Sequence, residues 1–200
     1  MARQLSCPSC GGPLTIESAF TTFLVCNYCG ASLFVNDTSV DISGQSAKIA
    51  EYPSRFSIGA NGKVKGRGFR VLGHVRYKNE DGYWDEWFLQ FNDQQIGWLV
   101  EDEGDLTLTY KSKLTFPVPP YEDMRIGSFV PFGKDNLFLS EKGETQVDGV
   151  EGEVSLNIPP GKPIRYVDGN AASKAIRLIL DDNAIMLYTG EPLEFNDVTL

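Results

Sequence analysis

Four cysteines, Cys7, Cys10, Cys26 and Cys29, are the side chains best suited to chemistry in this 200-residue chain, and it has no others. They fall as two pairs, Cys7-Pro-Ser-Cys10 and Cys26-Asn-Tyr-Cys29, with fifteen residues between them. That spacing predicts a tetrahedral structural zinc site. Each pair can put two thiolates about 2.3 Å from one ion, and four thiolates leave no position open for a reactant. Gly11, Gly12 and Gly30 behind the pairs permit the sharp turns that aim backbone N–H groups at sulfur. Structural Zn2+ is the expected cofactor, with Cys7, Cys10, Cys26 and Cys29 as its ligands. Disulfides would require an oxidising compartment, and Met1-Ala-Arg-Gln-Leu5 reads straight into the first pair without a signal-peptide pattern. A thioredoxin-type pair should open a helix, whereas Pro8 and Gly11-Gly12-Pro13 flank this one.

No catalytic set is expected. His74 is the only histidine, and with no free cysteine a nucleophile–base triad has few parts; a half-buried strand position suits it better. Trp84-Asp-Glu-Trp87 joins two carboxylates to two indoles, but on a strand Asp85 and Glu86 point to opposite faces and cannot act as a pair. Glu86 could pair with Arg70 or Arg76 across a hairpin. Trp84, Glu86 and Trp98 are the candidate interaction surface, because aromatics anchor interfaces. The segment 58–70 looks like a phosphate cradle but lacks P-loop spacing and a following helix. It reads better as one strand, with a bulge at Gly66 or Gly68 reconciling Lys63, Lys65 and Arg67 with the apolar phase of Phe69 and Val71. Glu101-Asp-Glu-Gly-Asp105 reads as a solvated acidic turn without EF-hand spacing.

The elements that must position these residues are mainly β. In an N-terminal ribbon over 1–35, segments 14–18, 20–25 and 31–35 read as short strands. Residues 36–54 form a polar linker with helical turns over Gln45–Tyr52, ended by Pro53. A first β unit spans 55–116. In it 69–77 and 83–91 alternate around the turn Asn79–Gly82, and strands near Ile96–Val100 and Leu106–Tyr110 follow. A second unit spans 121–200, with short strands at 128–132, 137–139, 146–150, 153–158 and 164–167. It ends with the hairpin 175–180 to 184–188 and a strand at 198–200. The two units form small antiparallel barrels or bent sheets, packed separately or as one domain. Ile58-Gly59 and Ile126-Gly127 begin them alike, as in a remote duplication.

Twelve Phe, eight Tyr and three Trp allow real cores, and no apolar run approaches the roughly 18 residues of a membrane span. A net charge of −9, with one basic side chain (Arg3) in the ribbon, argues against nucleic acid. The expectation is a protein of the cytoplasm.

The pattern Ile58-Gly59, Gly66-Arg-Gly-Phe69, Val71-Leu-Gly73, Tyr83-Trp-Asp-Glu-Trp87 and Gly97-Trp-Leu99 resembles a bacterial family, domain of unknown function 4178. Val150-Glu-Gly-Glu153, Gly161 and Arg165-Tyr-Val-Asp168 extend the likeness over most of 55–200. The resemblance implies no activity. It implies a context, beside phage-shock-like coiled-coil proteins, small membrane proteins and aminopropyltransferases. The expected function is a non-catalytic cytosolic adaptor joining protein partners, such as a membrane-associated coiled-coil or phage-shock-like protein, in a membrane-stress or envelope-associated system. The alternative is a binding module for a small polyamine-type cation, suited to the acidic balance.

Overall fold

The computed structural model describes residues 3–36, 39–43, 49, 54–156, 158–182 and 184–200. Five short strands come first: β1 (Arg3–Ser6), β2 (Pro13–Ile16), β3 (Phe23–Val25), β4 (Ser32–Val35) and β5 (Val40–Ile42). The next five are β6 (Asn61–Val64), β7 (Arg67–Lys78), β8 (Tyr83–Phe91), β9 (Ile96–Asp102) and β10 (Asp105–Ser112). The last six are β11 (Phe129–Phe132), β12 (Asp135–Val154), β13 (Pro163–Ala171), β14 (Lys174–Asp181), β15 (Ala184–Leu193) and β16 (Val198–Thr199). Only two 3-10 turns, Tyr121–Asp123 and Phe195–Asp197, break the β character among the described residues. No helix among them is long and apolar enough to cross a membrane.

Eight strands close a ring. β7, β8, β9 and β10 pair in sequence as one meander, and β12, β13, β14 and β15 as another. Two seams join them, β10 to β15 and β7 to β12, every pairing antiparallel. The two β units are therefore halves of a single barrel. Closure leaves the eight ring strands without a free edge, which removes the hazard of unpaired backbone groups.

The halves are built alike. Gly59 N–H donates to Val71 O at 2.8 Å and Val71 N–H to Ala60 O at 2.9 Å; Gly127 N–H donates to Leu139 O at 2.8 Å and Leu139 N–H to Ser128 O at 3.0 Å. Both glycines sit in the left-handed region, φ 82° and 79°, where a side chain would strain the backbone. Just beyond, each strand breaks register, between Val71 and Gly73 and between Leu139 and Glu141. Pairing carries the match around the ring. Val71 faces Leu89 as Leu139 faces Gly169, Trp87 faces Leu99 as Val167 faces Leu178, and Leu99 faces Leu108 as Leu178 faces Leu187. A two-fold across the barrel axis thus relates the meanders and exchanges the barrel's two ends.

Alternation divides side chains between lumen and exterior. Trp84, Phe88, Trp98, Val100, Tyr166 and Ile179 share the lumen core. Outside, β6 and β16 cover a core with Phe69, Val71, Trp87 and Leu99. On the other half β11 covers Leu137, Leu139, Val167 and Leu178.

Several expectations change in detail. Lys65 (φ 47°) and Gly66 (φ 79°) form a hairpin turn between β6 and β7, so the basic segment is two strands, and the bulge lies instead at Leu72. The turn suits Gly66, and it removes the shared face proposed for Lys63, Lys65 and Arg67. The strands expected at 137–139 and 146–150 and the start of the one at 153–158 are a single strand, β12, of 20 residues, which ends at Val154. Val40–Ile42, read as linker, pairs with β4 as a strand of the ribbon. The helical turns expected over Gln45–Tyr52 lie outside the described residues apart from Ile49, which is buried.

Candidate functional site

The first site is the four-cysteine cluster. Each pair sits in the same knuckle: Cys7 N–H donates to Gly12 O and Gly11 N–H to Cys7 O, both at 2.8 Å, while Cys26 N–H donates to Ala31 O at 2.9 Å and Gly30 N–H to Cys26 O at 2.8 Å. The four Sγ atoms lie within 4.8 Å of one another, with Cys7–Cys29 and Cys10–Cys26 both at 3.9 Å. Thiolates bound to one ion at about 2.3 Å would stand roughly 3.8 Å apart at the corners of a tetrahedron. None is in a disulfide. Gly12 N–H points at Cys10 Sγ, and the Ala31 N–H beside Cys29 helps draw its thiol down to about 7. The residues fit a metal ion, which all four would hold with no position left for substrate.

This ribbon is fastened to one end of the barrel. Phe23 and Leu24 of β3 pair with Val154 and Glu153 at the end of β12. The Glu153 carboxylate accepts Glu17 N–H at 2.9 Å, Ser18 N–H at 3.3 Å and the Thr21 hydroxyl at 2.8 Å. Burial pushes that carboxyl up, against the pull of these donors. Phe23 is fully buried in the lumen core, alongside Leu156 and Ile158 of the β12–β13 connection. The ribbon caps this end.

Charge lies inside the barrel. Glu86 of β8 and Arg177 of β14 meet at 2.6 Å, although their strands stand four places apart whichever way the ring is followed. Such a contact can form only through the lumen. Arg177 also binds Asp168, Nη2 to Oδ2 at 2.6 Å and Nε to Oδ1 at 2.9 Å, and Trp84 Nε1 donates to Glu86 at 3.1 Å. Burial pushes the Glu86 carboxyl up against the pull of Arg177, and pushes the Tyr77 and Tyr188 hydroxyls up beside it. The Tyr166 hydroxyl donates to Glu141.

Beyond this cluster the second end opens into a cavity of about 440 Å³. Asp102, Glu103, Asp105, Glu141 and Asp168 line it against one cation, Arg177, with Thr107, Thr109 and Ser140 adding hydroxyls. Burial, opposed by Arg177 and reinforced by Glu141 and Glu103, pushes the Asp102 carboxyl up. The matched positions at the capped end are core: Leu72 stands where the open end has Ser140, and Phe88 where it has Asp168. Among the described residues only the cysteines form a set of three or more groups able to grip one metal ion, so the mouth carboxylates are spread rather than convergent.

The candidate interaction surface is corrected. Trp84, Glu86 and Trp98 are 5%, 7% and 4% exposed and lie within the lumen. Alternation placed them on one face, and barrel closure turned that face inward. Glu86 pairs with Arg177, not Arg70 or Arg76. Asp85, on the opposite face, takes Arg76 Nε at 2.9 Å and His74 Nε2 at 2.6 Å. His74 is fully rather than half buried, stacked on Trp87 with ring centroids 4.0 Å apart. Sequence alone singles out neither Glu141 nor Arg177, gives Asp168 only within the family pattern, and reads Asp102, Glu103 and Asp105 only as an acidic turn. Their signal was Asp102 in phase with Trp98 and Val100, an acid on an otherwise apolar face.

These features define a four-cysteine ribbon joined to an eight-stranded antiparallel barrel. Residues 57–195, more than half of the chain, match the family model described as Domain of unknown function (DUF4178), and the chain belongs to that family. No curated protein and no solved structure matches it.

Proposed function

We propose that the protein is a non-catalytic binding protein: a zinc-held ribbon caps one end of the barrel, and the open end takes a small organic cation of the polyamine type. The carrying observation is the inequality of the two matched ends, one filled with core and the other lined by five acids around one arginine. Eight-stranded barrels have room for one small ligand. Low-dielectric walls focus the negative field of the mouth on a cation. Spread carboxylates suit a chain of amines better than a point ion. A closed four-thiolate set is the usual donor set of structural zinc, which supports zinc as the ribbon's ion.

Calorimetry with spermidine at low salt tests this reading. Binding should weaken roughly ten- to a hundredfold in Asp102→Asn/Asp105→Asn, since a hydrogen bond to a charged group contributes about 1.5–3 kcal/mol. No heat at millimolar spermidine would end it. A second reading, an adaptor for a protein partner, is favoured by Ile126 and Phe129, exposed beside the mouth.

A further inference from the structure

The rim of the open mouth carries an apolar patch that nothing in the chain covers among the described residues. Phe129 pairs with Phe138, and Phe138 with Asn170, which lines the cavity. The two phenylalanine rings lie 5.2 Å apart, and Phe129 is 70% exposed. Ile126, 58% exposed, stands in the turn whose Gly127 N–H bonds Leu139 O.

The matched positions at the other end are Ile58, Asn61 and Arg70. There Ile58 and Arg70 line a groove against the ribbon, and Arg70 reaches Glu17 at 3.4 Å. The same corner of the repeat is thus a docking corner where the ribbon sits. At the open end it bears two phenylalanines in place of asparagine and arginine, a change toward the aromatic anchors of interfaces. The adjoining cavity holds five acids.

We infer that this rim docks a basic segment of a partner protein, an apolar side chain seating on Ile126, Phe129 and Phe138 while lysine or arginine side chains enter the acidic mouth. The occupant follows from charge. A chain of net charge −9 with an acidic cavity beside an apolar patch repels acidic segments and steers basic ones. The inference rests on the mouth being a cation site and adds the source of the cation.

The probe is a labelled eight-residue peptide alternating lysine and leucine, titrated into the full chain by fluorescence anisotropy. A lysine–serine peptide of equal charge is the control. The lysine–leucine peptide should bind about tenfold tighter. Ile126→Ser/Phe129→Ser, changed only at exposed positions, should erase that preference and leave spermidine binding unaltered. Asp105→Asn should weaken both peptides. Equal binding of the two peptides overturns the inference, as does a preference that survives Ile126→Ser/Phe129→Ser or an Asp105→Asn variant indistinguishable from wild type. Cosedimentation with phosphatidylcholine vesicles that is lost in Phe129→Ser would reassign the rim to membrane and overturn it too. Failure of spermidine alone to bind, with the peptide results as expected, sinks the free-cation reading and leaves this one standing.

Discussion

Trp98 of β9 and Arg177 of β14 stand at matching positions in the two halves of the barrel. One puts an indole against Phe88, ring centroids 4.9 Å apart, in the capped end; the other puts a guanidinium between Glu86 and Asp168 in the open end. A single backbone plan therefore supports an apolar core and a charged lumen at its two ends. Desolvating charge is unfavourable, and hydrophobic replacement of buried ion pairs is often neutral or stabilising. Stability alone does not account for the charged end.

Arg177→Met should destabilise the protein by about 3–5 kcal/mol, because the buried Glu86 and the partly buried Asp168 lose their partner. Adding Glu86→Gln and Asp168→Asn should recover part of the loss. Urea unfolding of the single and triple variants measures both effects; a single variant as stable as wild type would show that water already reaches the cluster.

Trp98→Ala should lower stability by about 3–5 kcal/mol through the cavity it leaves beside Phe88. Any loss of binding in this variant should follow its loss of folded protein. Near-wild-type unfolding would mean that the indole is not packed.

Elemental analysis should find about one zinc per chain, held by four thiolates. Removing it withdraws much of the ribbon's folding free energy, since such binding contributes about 10–16 kcal/mol in finger peptides. Hydrogen exchange should then quicken in β3 and at Glu153 and Val154, while the β8–β9 ladder stays protected. Cys7→Ser should behave in the same way. Unchanged exchange in β3 after chelation would show a ribbon that folds without metal.

Acid should weaken the β7–β8 hairpin through Asp85. Burial pushes its carboxyl up, but the hydrogen bonds from His74 and Arg76 outweigh burial and hold it below its ordinary value of 3.8. The unfolded chain then binds a proton that the folded chain still refuses. The stability it contributes is present above about pH 4 and is lost as pH drops below that, through the lower folded-state value. Asp85→Asn should flatten this limb of a stability–pH profile, and an unaltered limb would assign it to other carboxylates.

Gly73→Ala should destabilise the β7–β12 seam, because a Cβ there would lie 2.0 Å from Glu153 O. Overpacking of this kind typically takes 1–3 kcal/mol, and the clash here is with backbone that cannot step aside. Gly82→Ala, whose Cβ would meet nothing within 4 Å, is the control. Comparable melting curves for the two would count against the seam.

The ribbon was legible because metal ligation forces residue type and spacing together: thiolates need cysteine, and the knuckle turns need Gly11 and Gly30. β character was legible from alternation, as in Val71 to Tyr77. The ring was not, because its seams join residues such as Gly152 and Gly73 that lie far apart in the chain. Alternation separates two faces of a strand without saying which faces water. That is why Trp84 and Trp98 were set on a surface, and why Arg177, an unremarkable base in its strand, carried no warning of its role. Ile58-Gly59 and Ile126-Gly127 hinted at the repeat because the left-handed turn leaves few alternatives to glycine.

The seams also set the order in which the barrel can be made. Each meander can zip hairpin by hairpin, but Lys78 must find Gln146 and Ser112 must find Leu187 before the ring shuts. Contacts of such long sequence separation form slowly, since chain entropy is lost before they reward it. During synthesis, Trp84, Phe88 and Trp98 leave the ribosome well before β15 exists to close over them. The growing chain must therefore carry its most adhesive surface uncovered until the last strands arrive, and chaperone demand should peak in that interval.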